Sequence, residues 1–154
     1  MTFSNPYTAG NPVHGPEKFI GRADILRDAL RVLQHPEANA IVLYGQRRIG
    51  KTSVMLHLQK QLSAGDAYQP VYFDLQNRAS LPLEHVLYQM AQKISAVMAA
   101  ELPEREQFER DARFFAETFL PAACQPLQHR HLVMLLDEFD VLDQPQREQA
   151  GKTF

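Results

Sequence analysis

The chain has 154 residues, 45% of them hydrophobic and 22% charged, so it can bury a core and lacks the composition of a disordered protein. Its formal net charge of −2 gives no reason to expect nucleic acid or an anionic membrane as a partner. There is no apolar run of the roughly 20 residues needed to cross a bilayer, no signal-peptide pattern at the N-terminus, and no second cysteine to pair with Cys124. The simplest interpretation is a cytoplasmic protein of one domain or part of one.

The hydrophobic pattern predicts helices and strands that alternate along the chain. In chain order, they are a helix at about 22–34, a strand at 40–45, a helix at 50–63, a strand at 70–75, helices at 82–100 and 103–119, and a strand at 131–136. The last helix is expected to end before Pro121, and the last strand, an unbroken apolar run, to be covered on both faces. Such alternation implies an α/β fold with a parallel sheet and right-handed crossovers.

The most informative segment is a complete phosphate-binding loop. The motif G-x-x-x-x-G-K-[ST] is met at every specified position by Gly45-Gln46-Arg47-Arg48-Ile49-Gly50-Lys51-Thr52-Ser53. The segment also lies between a predicted strand and a predicted helix, which is the context that the motif requires. A chance match in a chain of this size has odds on the order of one in a hundred, because glycine makes up only about 7% of residues in proteins.

The residues of this loop suit the phosphates of a nucleoside triphosphate. Gly45 and Gly50 permit backbone conformations in which successive N–H groups turn inward, and the following helix adds its positive N-terminal dipole. Lys51 is expected to bridge the β- and γ-phosphates, and the Thr52 hydroxyl to ligate Mg²⁺. The expected ligands are therefore ATP and Mg²⁺, with the choice of ATP over GTP left open by the sequence.

An acidic pair, Asp137-Glu138, follows the last predicted strand. Open α/β sheets bind their ligands at this end of their strands. Asp137 is therefore expected to hold Mg²⁺ through water, and Glu138 to activate the attacking water as a general base. The alternatives are that Asp137 caps a helix, and that Glu138 is a solvated residue in a protein that binds ATP but barely hydrolyses it.

Together these segments resemble a known family of ATPases. The resemblance is carried by Asn11-Pro12-Val13, Phe19-Ile20-Gly21-Arg22, the loop at 45–53, and Leu135-Leu136-Asp137-Glu138-Phe139-Asp140. Over roughly residues 5–143 the chain is similar to the N-terminal part of P-loop ATPases of the additional-strand, catalytic-glutamate class. Within that class it resembles the STAND signalling ATPases and their AAA-plus relatives, the archaeal and origin-recognition-like ATPases. The resemblance implies a three-layer α/β/α fold with a mostly parallel sheet, about three strands of which are expected here.

The resemblance also implies contacts outside the loop. In that family the segment ahead of the first helix packs near the adenine of the nucleotide, and a Gly-Arg pair within it lies close to the ligand. The residues of this chain at the matching positions are Val13, Gly21 and Arg22. We therefore expect these three residues to contact the nucleotide.

The expected domains are an N-terminal loop packing near the nucleotide at 1–21, a partial ATPase core at 22–143 and a tail at 144–154. In the family, further strands and usually a helical lid follow the acidic pair. The chain is accordingly expected to be incomplete at its C-terminal end. Open strand edges would then favour self-association.

Three functions are compatible with this sequence. The favoured one is a Mg²⁺-dependent ATPase, with Lys51 and Glu138 catalytic, that acts as a nucleotide-driven signalling or assembly switch on fused or partner effector domains. The second is the ATPase subunit of a nucleic-acid-handling system of the origin-initiator or transposition-helper kind, although the acidic balance argues against nucleic-acid binding by this segment itself. The third is a nucleotide-dependent scaffold that does not hydrolyse ATP.

Overall fold

The chain forms two units, residues 1–64 and residues 65–154. They are seen in a computed structural model that describes residues 23–35, 40–46, 48–78 and 80–139. The predicted N-terminal loop and tail lie outside these ranges, so the expected division into three domains stays a prediction. No helix within the described ranges has the length and hydrophobicity needed to cross a lipid bilayer.

The first unit contains two helices, α1 (Ala23–Leu33) and α2 (Lys51–Ser63), which contact each other. On α1 the buried residues are Leu26 and Ala29, which share one face because they are three positions apart. The buried apolar residues of α2 are Val54, Met55, Leu58 and Leu62. Both helices were predicted from this periodicity, and their observed bounds confirm the prediction.

The second unit is built on two parallel strands, β1 (Tyr68–Asp74) and β2 (His131–Asp137). Their register places Asp74 opposite Asp137, so both strands end in an aspartate at the same edge of the sheet. The α/β class and the parallel pairing are thereby confirmed. The sheet has two strands in the described residues, where three were predicted.

Helix α3 (Leu83–Met98) covers one face of this sheet. Val71 of β1 packs there with Ala91 and Ile94 of α3, and none of the three has exposed surface. The other buried members of this core are Phe108, Phe115, Phe119 and Ala123. The helix ends two residues before its predicted limit because Ala99 takes a left-handed conformation, with a φ of 51°.

The prediction of one continuous helix at 103–119 is wrong, because the helix is interrupted and because the helical segment continues past Pro121. Its first part, α4 (Arg105–Arg110), stops where Asp111 is extended and where an Asp111 carboxylate oxygen accepts the N–H of Arg113 at 2.9 Å. A π turn at Phe115–Phe119 then leads into α5 (Leu120–Cys124).

Pro121 does not end this helical segment, contrary to the prediction. It lies in the first turn of α5, where the absence of a backbone N–H costs little. Before it, the N–H of Leu120 donates to the carbonyl of Phe115, five residues back, so the wider π turn precedes the proline. A short 3₁₀ turn, Gln125–Leu127, completes the segment.

The predicted strand at 40–45 is not formed. Residues 40–46 have no regular secondary structure, and the side chains of Val42 and Tyr44 are 72% and 91% exposed. A strand is stabilised by hydrogen bonds to a neighbouring strand. In the described part of the chain the only sheet is β1–β2, and this segment makes no ladder with either strand.

The expectation that the last strand is covered on both faces is also wrong for most of its length. In β2 only Leu135 and Asp137 are buried, and the other residues are half-buried or exposed. Within the described ranges, β2 pairs with β1 along one edge and with no strand along the other.

The aromatic core of the second unit makes a test of this fold. Phe108 has no exposed surface, and its ring lies 5.4 Å from that of Tyr88 and 5.1 Å from that of Phe114, both in edge-on geometry. Phe108→Ala is expected to lower the free energy of unfolding by about 3–5 kcal/mol, because it removes a large buried side chain and leaves a cavity.

Urea unfolding measures this loss. The matched control is Phe139→Ala, since the Phe139 side chain is 61% exposed and its removal is expected to change stability by no more than about 0.5 kcal/mol. Equal losses in the two variants would show that Phe108 is not part of the core.

Candidate functional site

The candidate residues are divided between the two units. The phosphate-binding loop lies in the first unit and is described except for Arg47, whereas Asp137 and Glu138 lie in the second. Val13, Gly21 and Arg22 lie outside the described residues, so their expected contacts with nucleotide stay predictions.

The backbone of the loop explains why its second glycine is needed. Gly50 has a φ of 91°, a left-handed conformation that side chains disfavour, and α2 begins at the next residue. At Gly45, a β-carbon would meet the end of the Ile49 side chain, which would have to move. Arg48, between them, also has a positive φ, of 66°. The loop is therefore tightly folded at both of its glycines.

The loop ends at the N-terminus of α2, and this end of the helix has no side-chain cap. The first turn also contains no acidic residue, while its first residue is Lys51. The positive end of the helix dipole is thus not neutralised by a side chain of the first turn. Such a helix end favours the binding of an anion.

The ammonium group of Lys51 folds back over the loop. Its Nζ atom donates to the carbonyl oxygen of Gly45 at 2.9 Å and to that of Gln46 at 3.5 Å. Thr52, the next residue, is half-buried, and Ser53 is buried. The ammonium group is thereby held at the start of the loop. To bind through these two N–H groups, a phosphate oxygen would have to replace the carbonyls as the hydrogen-bond acceptors.

In the second unit, Asp137 ends β2 and is only 4% exposed. Its Oδ2 atom accepts the hydroxyl proton of Tyr72 at 2.8 Å, and its Oδ1 atom accepts the backbone N–H of Glu138 at 3.0 Å. Both oxygens of this buried carboxylate are therefore oriented by hydrogen bonds.

Tyr72 has an environment that keeps its hydroxyl protonated. Burial raises its pKa well above the usual value, and the hydrogen bond to Asp137 and the negative charges of Asp137, Asp74 and Glu138 raise it further. The phenol is therefore a hydrogen-bond donor to Asp137 throughout the physiological pH range.

Glu138 has an unusual backbone conformation. Its φ is 54°, in the left-handed region that a glutamate rarely occupies, and its side chain is half-buried. The left-handed conformation costs roughly 1–2 kcal/mol for a residue with a β-carbon. Strained residues of this kind concentrate at functional sites, which makes Glu138 a candidate on geometry as well as on sequence.

The sequence did not point to Tyr72, because the sequence of one strand does not show which residues of the neighbouring strand its side chains contact. Arg78 follows β1. Its Nε donates to Gln89 Oε1 at 2.8 Å, its Nη1 donates to the carbonyl of Asp74, and its guanidinium lies 4.8 Å from the centre of the Phe73 ring. Arg78 lines a cleft of about 580 Å³ beside β1 and α3.

Asp74, at the end of β1, takes part in the turn that follows the strand. Its Oδ1 accepts the N–H of Gln76 at 2.8 Å, a bond that stabilises the turn following the strand. Among the described residues, no three His, Cys, Asp or Glu side chains group together as ligands of a metal ion. The expected magnesium site consists of Thr52 and the single carboxylate of Asp137, so it does not require such a group of three side chains.

One of three comparisons with known proteins found a match. A family model described as an AAA ATPase domain matches residues 18–152, which include both the phosphate-binding loop and the end of β2. No curated protein and no solved structure matches the chain significantly. Because the family model covers most of the sequence, the chain belongs to the AAA ATPase domain family and is a P-loop nucleotide-binding protein.

Proposed function

We propose that this protein is a Mg²⁺-dependent ATPase that uses nucleotide binding as a switch in signalling or assembly, of the STAND type that its sequence resembles. The observation that supports this most directly is the position of the Lys51 ammonium, over a tightly folded loop at an uncapped helix N-terminus. In a chain of the AAA ATPase family, that arrangement suits the phosphates of ATP.

The loop residues have distinct roles in this proposal. The backbone N–H groups of residues 45–53 surround the phosphates, and Lys51 exchanges its two carbonyl partners for oxygens of the β- and γ-phosphates. Val13, Gly21 and Arg22 belong to the segment that lies near the nucleotide, as the family resemblance implies. The phosphate contacts fix the orientation of ATP, and catalysis of phosphoryl transfer consists almost entirely of such positioning and of electrostatic stabilisation.

Thr52 and Asp137 are the residues proposed to hold Mg²⁺. Asp137 suits this role because it is a buried carboxylate whose two donors are neutral groups, so its negative charge is not compensated. No lysine or arginine in the described residues forms an ion pair with it. When bound, Mg²⁺ would neutralise charge on the phosphates, and a carboxylate together with substrate phosphates is its usual ligand set.

Glu138 is proposed as the general base. Its carboxylate follows Asp137 directly, so that both groups lie at the carboxyl end of the strand, where α/β sheets bind ligands. In this role Glu138 accepts a proton from the attacking water as the bond to the γ-phosphate forms. ADP and inorganic phosphate are then the products, and their release resets the switch.

Removal of the loop lysine tests the phosphate site. Lys51→Ala is expected to raise the dissociation constant for ATP by about 10- to 100-fold, because hydrogen bonds to a charged group contribute roughly 1.5–3 kcal/mol. Binding of a fluorescent ATP analogue measures it. Lys60→Ala, at the exposed other end of α2, is the matched control and should bind like the wild type. Equal affinity in both variants would rule out the proposed site.

Removal of the proposed base separates an ATPase from a scaffold. Glu138→Gln is expected to lower ATP turnover by about 100- to 10,000-fold while ATP remains bound, because only proton transfer is lost. Phosphate release measures turnover, and Glu117→Gln, at an exposed position of the π turn, is the control. Wild-type turnover no higher than that of Lys51→Ala would favour the non-hydrolysing scaffold. Undiminished turnover in Glu138→Gln would exclude Glu138 as the base.

The switch itself has a separate readout. At one fixed protein concentration, ATP with Mg²⁺ is expected to shift the wild type to larger assemblies, because nucleotide binding favours the assembled conformation. Lys51→Ala should not respond. Light scattering after size-exclusion chromatography measures the masses, and masses that ignore nucleotide in both proteins would contradict an assembly switch.

A further inference from the structure

Tyr72 is joined to Asp137 by a hydrogen bond that crosses from β1 to β2. The register places Tyr72 opposite Leu135 and Asp74 opposite Asp137. Asp137 is two residues beyond Leu135 on β2, and side chains two residues apart along a strand point to the same face of the sheet. Tyr72 and Asp137 therefore occupy neighbouring positions on one face. The long phenol side chain spans this diagonal, and its hydroxyl reaches Asp137 Oδ2 at 2.8 Å.

The carboxylate of Asp137 is held at both of its oxygens. Oδ2 accepts the Tyr72 hydroxyl, and Oδ1 accepts the N–H of Glu138. Rotation of the carboxylate would break both bonds, and Asp137 is too buried for water to replace them readily. Its orientation is thus determined by these two donors.

These two hydrogen bonds leave the Asp137 carboxylate able to bind a cation. Each carboxylate oxygen has about two lone-pair positions, and each accepts one hydrogen bond in the described structure. Both donors are neutral, so neither compensates a negative charge on the carboxylate. A positively charged partner in the place of Tyr72 would orient it equally well but would compensate that charge.

We infer that Tyr72 is a positioning residue, which holds the Asp137 carboxylate in the orientation that binds the Mg²⁺ of the Mg²⁺–ATP complex. This inference rests on the proposed function and adds to it a residue that touches neither ATP nor the metal. Partners that orient metal ligands through a hydrogen bond commonly change metal affinity by 10- to 100-fold when they are removed.

The test is Tyr72→Phe, which removes the hydroxyl and keeps the ring. It is made in a Glu138→Gln background, so that ATP is not consumed, and a fluorescent ATP analogue is bound at increasing Mg²⁺ concentrations. The half-saturating Mg²⁺ concentration is expected to rise about 10- to 100-fold. The affinity for the analogue in EDTA, to which Asp137 contributes no metal contact, should change by less than about twofold.

Tyr88→Phe is the matched control. Tyr88 lies on α3 with its ring edge-on to Phe108, and the described structure gives its hydroxyl no hydrogen bond, so the substitution should leave the Mg²⁺ dependence unchanged. Asp137→Asn gives a second control, since an effect of Tyr72→Phe that acts through Asp137 should disappear when both substitutions are combined.

The outcomes separate this inference from the proposed function. If the Glu138→Gln protein binds the analogue with a Mg²⁺ dependence that Tyr72→Phe does not alter, the inference is wrong and the proposed function stands. If the same protein binds no analogue, or binds it without regard to Mg²⁺, the proposed function fails and the inference with it. An effect of Tyr72→Phe that persists in the Asp137→Asn background would show a general structural role and overturn the inference.

Circular dichroism shows whether Tyr72→Phe is folded. If it is not, Tyr72→Leu is compared with Tyr72→His, which keeps a ring donor at this position. The inference then predicts a higher half-saturating Mg²⁺ concentration for Tyr72→Leu than for Tyr72→His. Equal half-saturating concentrations in the two variants would overturn it.

Discussion

The parallel pairing of β1 with β2 is the constraint on which the second unit depends. Because Asp74 lies opposite Asp137, the phenol of Tyr72 comes within reach of the Asp137 carboxylate. A slip of one residue would turn Tyr72 to the other face of the sheet and bring Val71 out of the core that it forms with α3. The apolar face thus stabilises the register, and the register positions the polar groups on the opposite face.

Features that depend on neighbouring residues were predicted well from the sequence. The periodicity of α1, α2 and α3 is local, so their positions followed from apolar spacing. The glycines of the loop were assigned correctly to a folded turn, since Gly50 does take a left-handed conformation before α2. Asp137 was placed correctly at the end of a strand. The chemical roles given to these residues remain predictions.

Features that depend on distant residues were not predictable. The bond between Tyr72 and Asp137 joins positions 65 residues apart, and no local pattern shows it. The apolar segment at 40–46 has the composition of a strand, but a strand also needs a partner. A proline such as Pro121 is compatible both with the end of one helix and with the first turn of the next. Here the π turn before it places Pro121 in the first turn of α5.

The hydrogen bonds of Lys51 also bear on which anions can bind to the loop. The carbonyls of Gly45 and Gln46 accept two of the three N–H groups of the ammonium, so a ligand that binds through those two groups must compete with them. Carbonyl oxygens are neutral acceptors, whereas hydrogen bonds between charged groups are roughly twice as strong. A singly charged anion gains little from the exchange, but a polyphosphate gains through several oxygens at once. If the loop binds nucleotide as proposed, competition from the two carbonyls would favour ligands of high negative charge, whatever their base or sugar.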